Sequence, residues 1–290
     1  LKGRPDTHDI DYFVDSVTRR RLTAHPNHVI VLVRPQADAE WRRLAVADRE
    51  YQQVMQRLIV QSEEWATARD GAAKRHAYFQ TLFGNPNHAI FELAYLELGR
   101  APYETIQQFG QRVTRDDLTP MLTRRDYLEW RSLAILLLAQ NPDAESRRLI
   151  DQSFRDCQQY SMTTNLAAWA IAAVEVSGDD VVRDIETHYL QNADRTDAEI
   201  RAILMALLVH GRTQQSCVRD RLQELFQTAR QHHADIVVRL EKESADWKPP
   251  VDRSVFSEAD TITESTTPLK SQKPEENSLT LKQQLLRSIE

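Results

Sequence analysis

The sequence predicts a mainly helical protein, an α-solenoid of stacked helical hairpins with a short β segment before it and a disordered tail after it. Glycine supplies only 7 of 290 residues, too few for the tight turns of a many-stranded β-protein. No proline interrupts the chain between Pro142 and Pro249, so helices can continue for roughly a hundred residues. Helix-like segments also recur at intervals of roughly 33 to 38 residues, the length of a helical repeat. They begin near His88, Asp126, Thr163 and Thr196.

Strand signals are confined to the first zone, residues 1–36. Ile10–Val14 and the β-branched run Val29–Val33 have the composition of strands, and Arg34-Pro35 ends the second run. The zone is too short to form a β-domain alone. We therefore interpret residues 1–36 as the end of a truncated small β-domain, a barrel or sheet that begins before Leu1.

The middle zone, residues 37–241, is the predicted helical repeat domain. Its first helix is predicted from about Ala37 to Ser62, because apolar residues recur there at three- and four-residue steps. They are Trp41, Leu44, Ala45, Tyr51, Val54, Met55, Leu58 and Ile59. Later units pair a helix that is apolar nearly all round, such as Leu166–Val174, with an amphipathic helix. Hairpins of this kind bury their cores only against their neighbours, as the units of a solenoid do.

One segment also carries a family resemblance. Phe91–Tyr103 resembles stretches of bacterial HEAT-like helical-repeat proteins in which a small β-barrel ending in Leu-Lys-Gly precedes the repeats. The resemblance covers about residues 1–230 and implies a HEAT-like α-solenoid. It favours an exported, periplasmic location over a cytoplasmic one, and it implies no activity.

The third zone, residues 242–290, changes composition. Prolines return, and Thr261–Thr267 is polar without a helical apolar period, so a disordered linker is expected. Thr280 and Gln283 have the spacing of a capping box. Apolar residues then follow on one helical face: Leu281, Leu285, Leu286 and Ile289. The sequence thus predicts a short amphipathic helix on a flexible linker.

Composition and motifs exclude several functions. The net charge of −6 argues against a general nucleic-acid binder, and no apolar run reaches the roughly 18 residues of a membrane span. The chain contains no Gly-x-Ser-x-Gly, Gly-x-Gly-x-x-Gly, Walker or His-Glu-x-x-His motif. Asp116 and Asp117 follow Thr114 at capping distance, so we interpret them as helix-capping residues. No catalytic residue and no cofactor is therefore predicted.

Histidines and cysteines give no metal site. His25 and His28 lie in a Pro-Asn turn without a carboxylate or cysteine at ligand spacing, so exposed imidazoles are the favoured interpretation. Cys157 and Cys217 lie 60 positions apart in helical segments. Two free thiols are the favoured interpretation, and a disulfide between these cysteines remains the alternative.

Two tryptophans and the tail are the candidate partner-binding residues. Trp41 and Trp65 fall near the junction of the β segment and the first repeats, where an inter-domain contact or a partner site needs large amphipathic rings. Together with Leu281, Leu285, Leu286 and Ile289 they predict a non-catalytic interaction scaffold or assembly subunit with a protein partner. Two alternatives stay open. One is an accessory helical domain of an enzyme or ligand-binding protein whose site lies before Leu1, and the other is membrane-surface attachment through the terminal helix.

Overall fold

The computed structural model describes residues 12–33, 40–213 and 217–243, and the chain forms two compact units, Leu1–Ala101 and Pro102–Glu290. Thirteen α-helices and one two-stranded hairpin make up the regular structure of the described residues, together with two short turns of 3-10 and π-helix. The prediction of a mainly helical chain is therefore confirmed. Within the described residues, no helix is long and apolar enough to cross a membrane.

The first unit combines a β-hairpin with four helices. Its elements are α1 (Ser16–Ala24), β1 (Val29–Val33), β2 (Arg42–Ala47), α2 (Arg49–Thr67), α3 (Gly71–Leu82) and α4 (His88–Leu98). β1 and β2 pair in antiparallel fashion. Val31 faces Ala45 whereas Leu32 faces Arg43, so Leu44 is an extra residue on β2. The hairpin therefore carries a bulge on its second strand.

The structure corrects the predicted first helix, which was expected from Ala37. The residues before Asp48 form β2, and α2 begins only at Arg49. The Asp48 side chain caps this start by accepting a hydrogen bond from the Tyr51 amide. The helical spacing of the apolar residues from Trp41 onward led to a wrong prediction, because the chain after Trp41 pairs with β1. This tertiary interaction overrides the local periodicity.

The sequence also misses α1 and misplaces a strand. Residues 12–14, part of the predicted strand Ile10–Val14, have no regular structure, and α1 follows at Ser16. The Asp15 side chain caps α1 by accepting a hydrogen bond from the Thr18 amide. A polar, arginine-rich helix such as α1 has too weak an apolar stripe to be predicted from periodicity.

The second unit is built from helices. Its elements are α5 (Tyr103–Gly110), α6 (Arg115–Thr123), a 3-10 turn (Arg125–Trp130), α7 (Arg131–Leu138), α8 (Ala144–Gln159), α9 (Leu166–Ser177), α10 (Asp179–Ile185), a π-helical turn (Glu186–Leu190), α11 (Asp197–Gly211), α12 (Leu222–His232) and α13 (Ala234–Glu243). α9 packs against α7, α8 and α11. The helices that are apolar nearly all round therefore form the buried centre of this unit. Ala172 on α9, for example, is fully buried.

Predicted helix starts are confirmed where a local cap encodes them. α4 begins at His88 after the cap Asn87, and α11 follows Thr196 in a complete capping box. The helix starts predicted near Asp126 and Thr163 are wrong by several residues, because α7 begins at Arg131 and α9 at Leu166. Neither observed start has a side-chain cap. Where the sequence carries a cap, the boundary is therefore predictable.

Candidate functional site

The candidate partner-binding residues divide into described and undescribed ones. Four of them lie outside the described residues: Leu281, Leu285, Leu286 and Ile289. Trp41 and Trp65 lie in the first unit, and both are half-buried. Trp41 directly precedes β2, whereas Trp65 lies near the end of α2. Trp65 lies in the wall of two grooves.

Trp65 lines an apolar groove of about 350 Å³, which we call the Trp65 groove. Its walls come from α2, α3, α4 and β2. The lining residues are Leu44, Met55, Leu58, Ser62, Trp65, Ala66, Arg75, Phe79, Leu93 and Glu97. Most of this lining is aliphatic or aromatic, so the groove has the size and chemistry to receive a few apolar side chains.

One rim of the Trp65 groove is charged. The Glu97 residue is only 8% exposed, and its carboxylate lies between two arginines. Arg75 Nη2 is 2.5 Å from Glu97 Oε2, and Arg100 Nη1 is 3.2 Å from Glu97 Oε1. Of these three residues, Arg75 and Glu97 line the groove, so its charged rim is an ion pair without net charge. The groove therefore favours an occupant that presents apolar side chains.

The local sequence explains how Trp65 comes to line this groove. α2 has one buried face, formed by Tyr51, Val54, Met55 and Leu58. This face continues to Trp65, whose ring lies 5.6 Å from that of Tyr78 and 6.3 Å from that of Phe79 on α3. α3 can approach so closely because it begins at Gly71. A Cβ atom there would lie 2.1 Å from the Trp65 carbonyl oxygen.

A second groove of about 350 Å³ also contacts Trp65, and it is polar. Arg57 lies over the Tyr78 ring at 4.7 Å, and Lys74 Nζ is 2.9 Å from Glu64 Oε1. The buried Gln61 Oε1 has no hydrogen-bond partner among the described residues. The lining carries two cations, Arg57 and Lys74, and one carboxylate, Glu64, which is paired with Lys74. These charges do not identify a particular class of ligand.

The second unit holds a polar cluster around Glu175 on α9, which we call the Glu175 cluster. Its members are Tyr103, Gln107, Gln140, Glu175 and His210. The Tyr103 hydroxyl donates to Glu175 Oε2 at 3.0 Å and accepts from Gln140 Nε2 at 3.1 Å. Gln107 Nε2 donates to Glu175 Oε1 at 3.1 Å. Burial, followed by the charge of Glu175, raises the pKa of Tyr103 well above its usual value.

His210 completes this cluster from α11. Its Nε2 lies 2.9 Å from the Ile171 carbonyl oxygen, which can only accept, so Nε2 carries the proton. Nδ1 then faces Glu175 Oε2 at 4.0 Å. Burial lowers the pKa of His210, which keeps the ring neutral. Since the cluster's polar atoms pair with one another, we interpret it as a structural network that joins α5, α9 and α11.

The remaining chemical candidates have structural explanations. Thr114 and Asp117 form a capping box at α6, as the sequence predicts. His25 and His28 stack with ring centroids 4.7 Å apart. Among the described residues, no three histidine, cysteine or acidic side chains come together as a metal-binding group. Cys157 and Cys217 are free thiols, and burial raises the pKa of Cys157 to about 11.

Sequence reasoning found Trp65 but missed the surrounding geometry. Tyr103 and Glu175 of the Glu175 cluster lie 72 positions apart, His210 lies further along the chain, and no short motif connects them. Likewise, the Trp65 groove draws Leu44 from β2 and Leu93 from α4. Only the assembled tertiary structure brings these residues together. The one available sequence signal was a large aromatic residue near the end of an amphipathic helix.

Comparison of the chain with protein-family models, with curated proteins and with solved structures finds no significant similarity.

Proposed function

We propose that this protein is a non-catalytic interaction subunit that binds a short amphipathic helix in the Trp65 groove. The observation that carries the proposal is the groove itself, an apolar recess lined by Trp65, which the sequence names as a candidate partner-binding residue. Helix-in-groove recognition uses apolar anchors at helical spacing, which fill such a recess.

The occupant we propose is the segment 279–290 of this chain. Its predicted anchors are Leu285 and Leu286, with Leu281 and Ile289 a turn away on either side. A linker of about 35 residues spans roughly 30 to 35 Å on average, and the proposal covers a groove on the same copy as well as one on another. The predicted apolar stripe would otherwise lack a surface to cover it.

The HEAT-like stacking predicted for residues 37–241 is part of the same proposal. Packing of α9 against α7, α8 and α11 supports it, because stacked hairpins contact their neighbours in this way. A stack of this kind offers a long surface and little enclosed space. That property suits a scaffold better than an enzyme.

The experiment measures binding of a fluorescein-labelled peptide of residues 278–290 to the full chain by anisotropy. The protein carries Leu285→Asp and Leu286→Asp, so that its own segment does not compete. We expect saturable binding. Leu44→Asp, which places a carboxylate in the apolar groove, should weaken it about tenfold or more. The matched control is Val60→Asp on α2, because Val60 is 79% exposed and does not line the groove.

Three results would contradict the proposal. They are no saturable binding, equal weakening by Leu44→Asp and Val60→Asp, or binding of the peptide to anionic vesicles but not to the protein. The last result would support membrane-surface attachment instead. Circular dichroism of each variant shows whether its helices are intact.

A further inference from the structure

The two strands of the hairpin differ in how their outer edges are protected. Exposed sheet edges recruit other strands unless charges, prolines or bulges block them. β2 has two such devices, the exposed Arg42 and Arg43 and the extra residue Leu44. β1 has none, because Val29–Val33 is five aliphatic residues without a charge, a proline or a bulge. Only the β1 edge is therefore suited to strand addition.

The side chains of β1 are less buried than the composition of this strand predicts. A continuous aliphatic run is typical of a strand with both faces covered. In this structure none of the five residues is buried, and Val29 is 43% exposed. Within the described residues, β1 pairs with β2 alone. A two-stranded hairpin is marginally stable, so a third strand on this edge would add both hydrogen bonds and apolar contacts.

We propose that the edge of β1 opposite β2 pairs in antiparallel fashion with β1 of a second copy of this chain. The resulting sheet has four strands in the order β2, β1, β1, β2. In the register of full overlap, Val31 lies opposite Val31 of the other copy, and Val29 lies opposite Val33. Every cross-strand pair is aliphatic and none is charged, so the edge is complementary to itself. This contact is independent of the Trp65 groove and goes beyond the proposed function.

Register-specific cross-linking tests the proposal on the full chain. In a Cys217→Ser background, Val31→Cys should form a covalent dimer under mild oxidation, since opposed Cβ atoms lie about 4.5 to 5.5 Å apart. Val29→Cys is the matched control. In the same register its two copies are four residues apart along the strand, roughly 13 Å, and cannot join. Val29 is the more exposed position, so random collision would favour the control.

Sedimentation of the unmodified chain gives the second readout. We expect the mass to rise towards that of a dimer with concentration, and Val31→Lys to abolish this rise because two ammonium groups would meet on the symmetry axis. Val60→Lys on α2 should leave it unchanged. A monomer at every concentration, or cross-linking of Val29→Cys at the rate of Val31→Cys, would overturn the proposal. A dimer that persists in Val31→Lys but is lost in Leu285→Asp/Leu286→Asp would also overturn it and place association in the terminal segment.

Discussion

β1 in the first unit and α9 in the second are both continuous apolar runs, but they differ in how far their side chains are buried. None of the five residues of β1 is buried, whereas eight residues of α9 are. Within the described residues, α9 has packed helices around it and β1 has one partner strand. An apolar run therefore predicts burial only where neighbours cover it. In the second unit the apolar run contributes to stability through burial, whereas in the first unit the described neighbours leave part of the apolar run exposed.

The largest effect that follows from this comparison concerns Ala172. This residue is fully buried on α9, so Ala172→Asp would bury a carboxylate without a partner. We expect a loss of about 4 kcal/mol or more in the free energy of unfolding and a fall of roughly 8 to 16 °C in Tm. Val29→Asp, at a half-exposed position of β1, should cost about 1 kcal/mol or less. Equal shifts of Tm in the two variants would contradict the contrast between the units.

Replacement by alanine should destabilise the protein to different degrees at two glycines, and this effect is smaller than that of Ala172→Asp. Gly71→Ala drives a Cβ against the backbone of Trp65, which cannot move aside, so we expect a cost of about 2 kcal/mol and weaker binding of the 278–290 peptide. Gly211→Ala in α11 meets the Leu222 side chain rather than backbone, and this side chain is only 1% exposed, so it must repack. Its effect on stability should be smaller than that of Gly71→Ala, about 1 kcal/mol. Urea unfolding of both variants measures the difference, and a silent Gly71→Ala would refute the close approach of α3 to α2.

Helix caps and apolar helices were predictable from sequence, because each depends on residues close together in the chain. Asn87 and Thr196 encode the starts of α4 and α11 in this way. β2 was not predictable, since its strand structure depends on pairing with β1 across the turn. Of the candidate site, the sequence identified Trp65 but not its groove. The Glu175 cluster gave no sequence signal, because Tyr103 and Glu175 meet across 72 positions.

A modest effect of pH is expected in the second unit. Buried His210 has a pKa below its usual value of 6.5, so the folded chain resists a proton that the unfolded chain accepts. Stability is therefore complete above about pH 6.5 and falls as the pH drops below it, by at most about 1.4 kcal/mol per pH unit. Glu175 on α9 at 4.0 Å opposes this loss, and Tyr103 on α5 is the other titratable group that faces the ring.

His210→Gln tests this pH dependence, because it removes the titration and keeps a polar side chain. Urea unfolding at pH 7 and pH 5 should show a smaller difference for His210→Gln than for the unmodified chain. His188→Gln, at an exposed position of the same unit, is the control and should retain the original difference. An unchanged difference in His210→Gln would show that another group controls the acid sensitivity.

Amide hydrogen exchange of the full chain tests the central claim, that the terminal segment occupies the Trp65 groove. The variant Leu285→Asp/Leu286→Asp removes the predicted anchors, whereas Gln283→Asp/Gln284→Asp adds the same charge beside them. We predict severalfold faster exchange in residues 55–66 of α2 and 75–79 of α3 for the leucine variant alone, because release of the segment uncovers the groove. Identical exchange of these two helices in both variants and in the unmodified chain would contradict the claim.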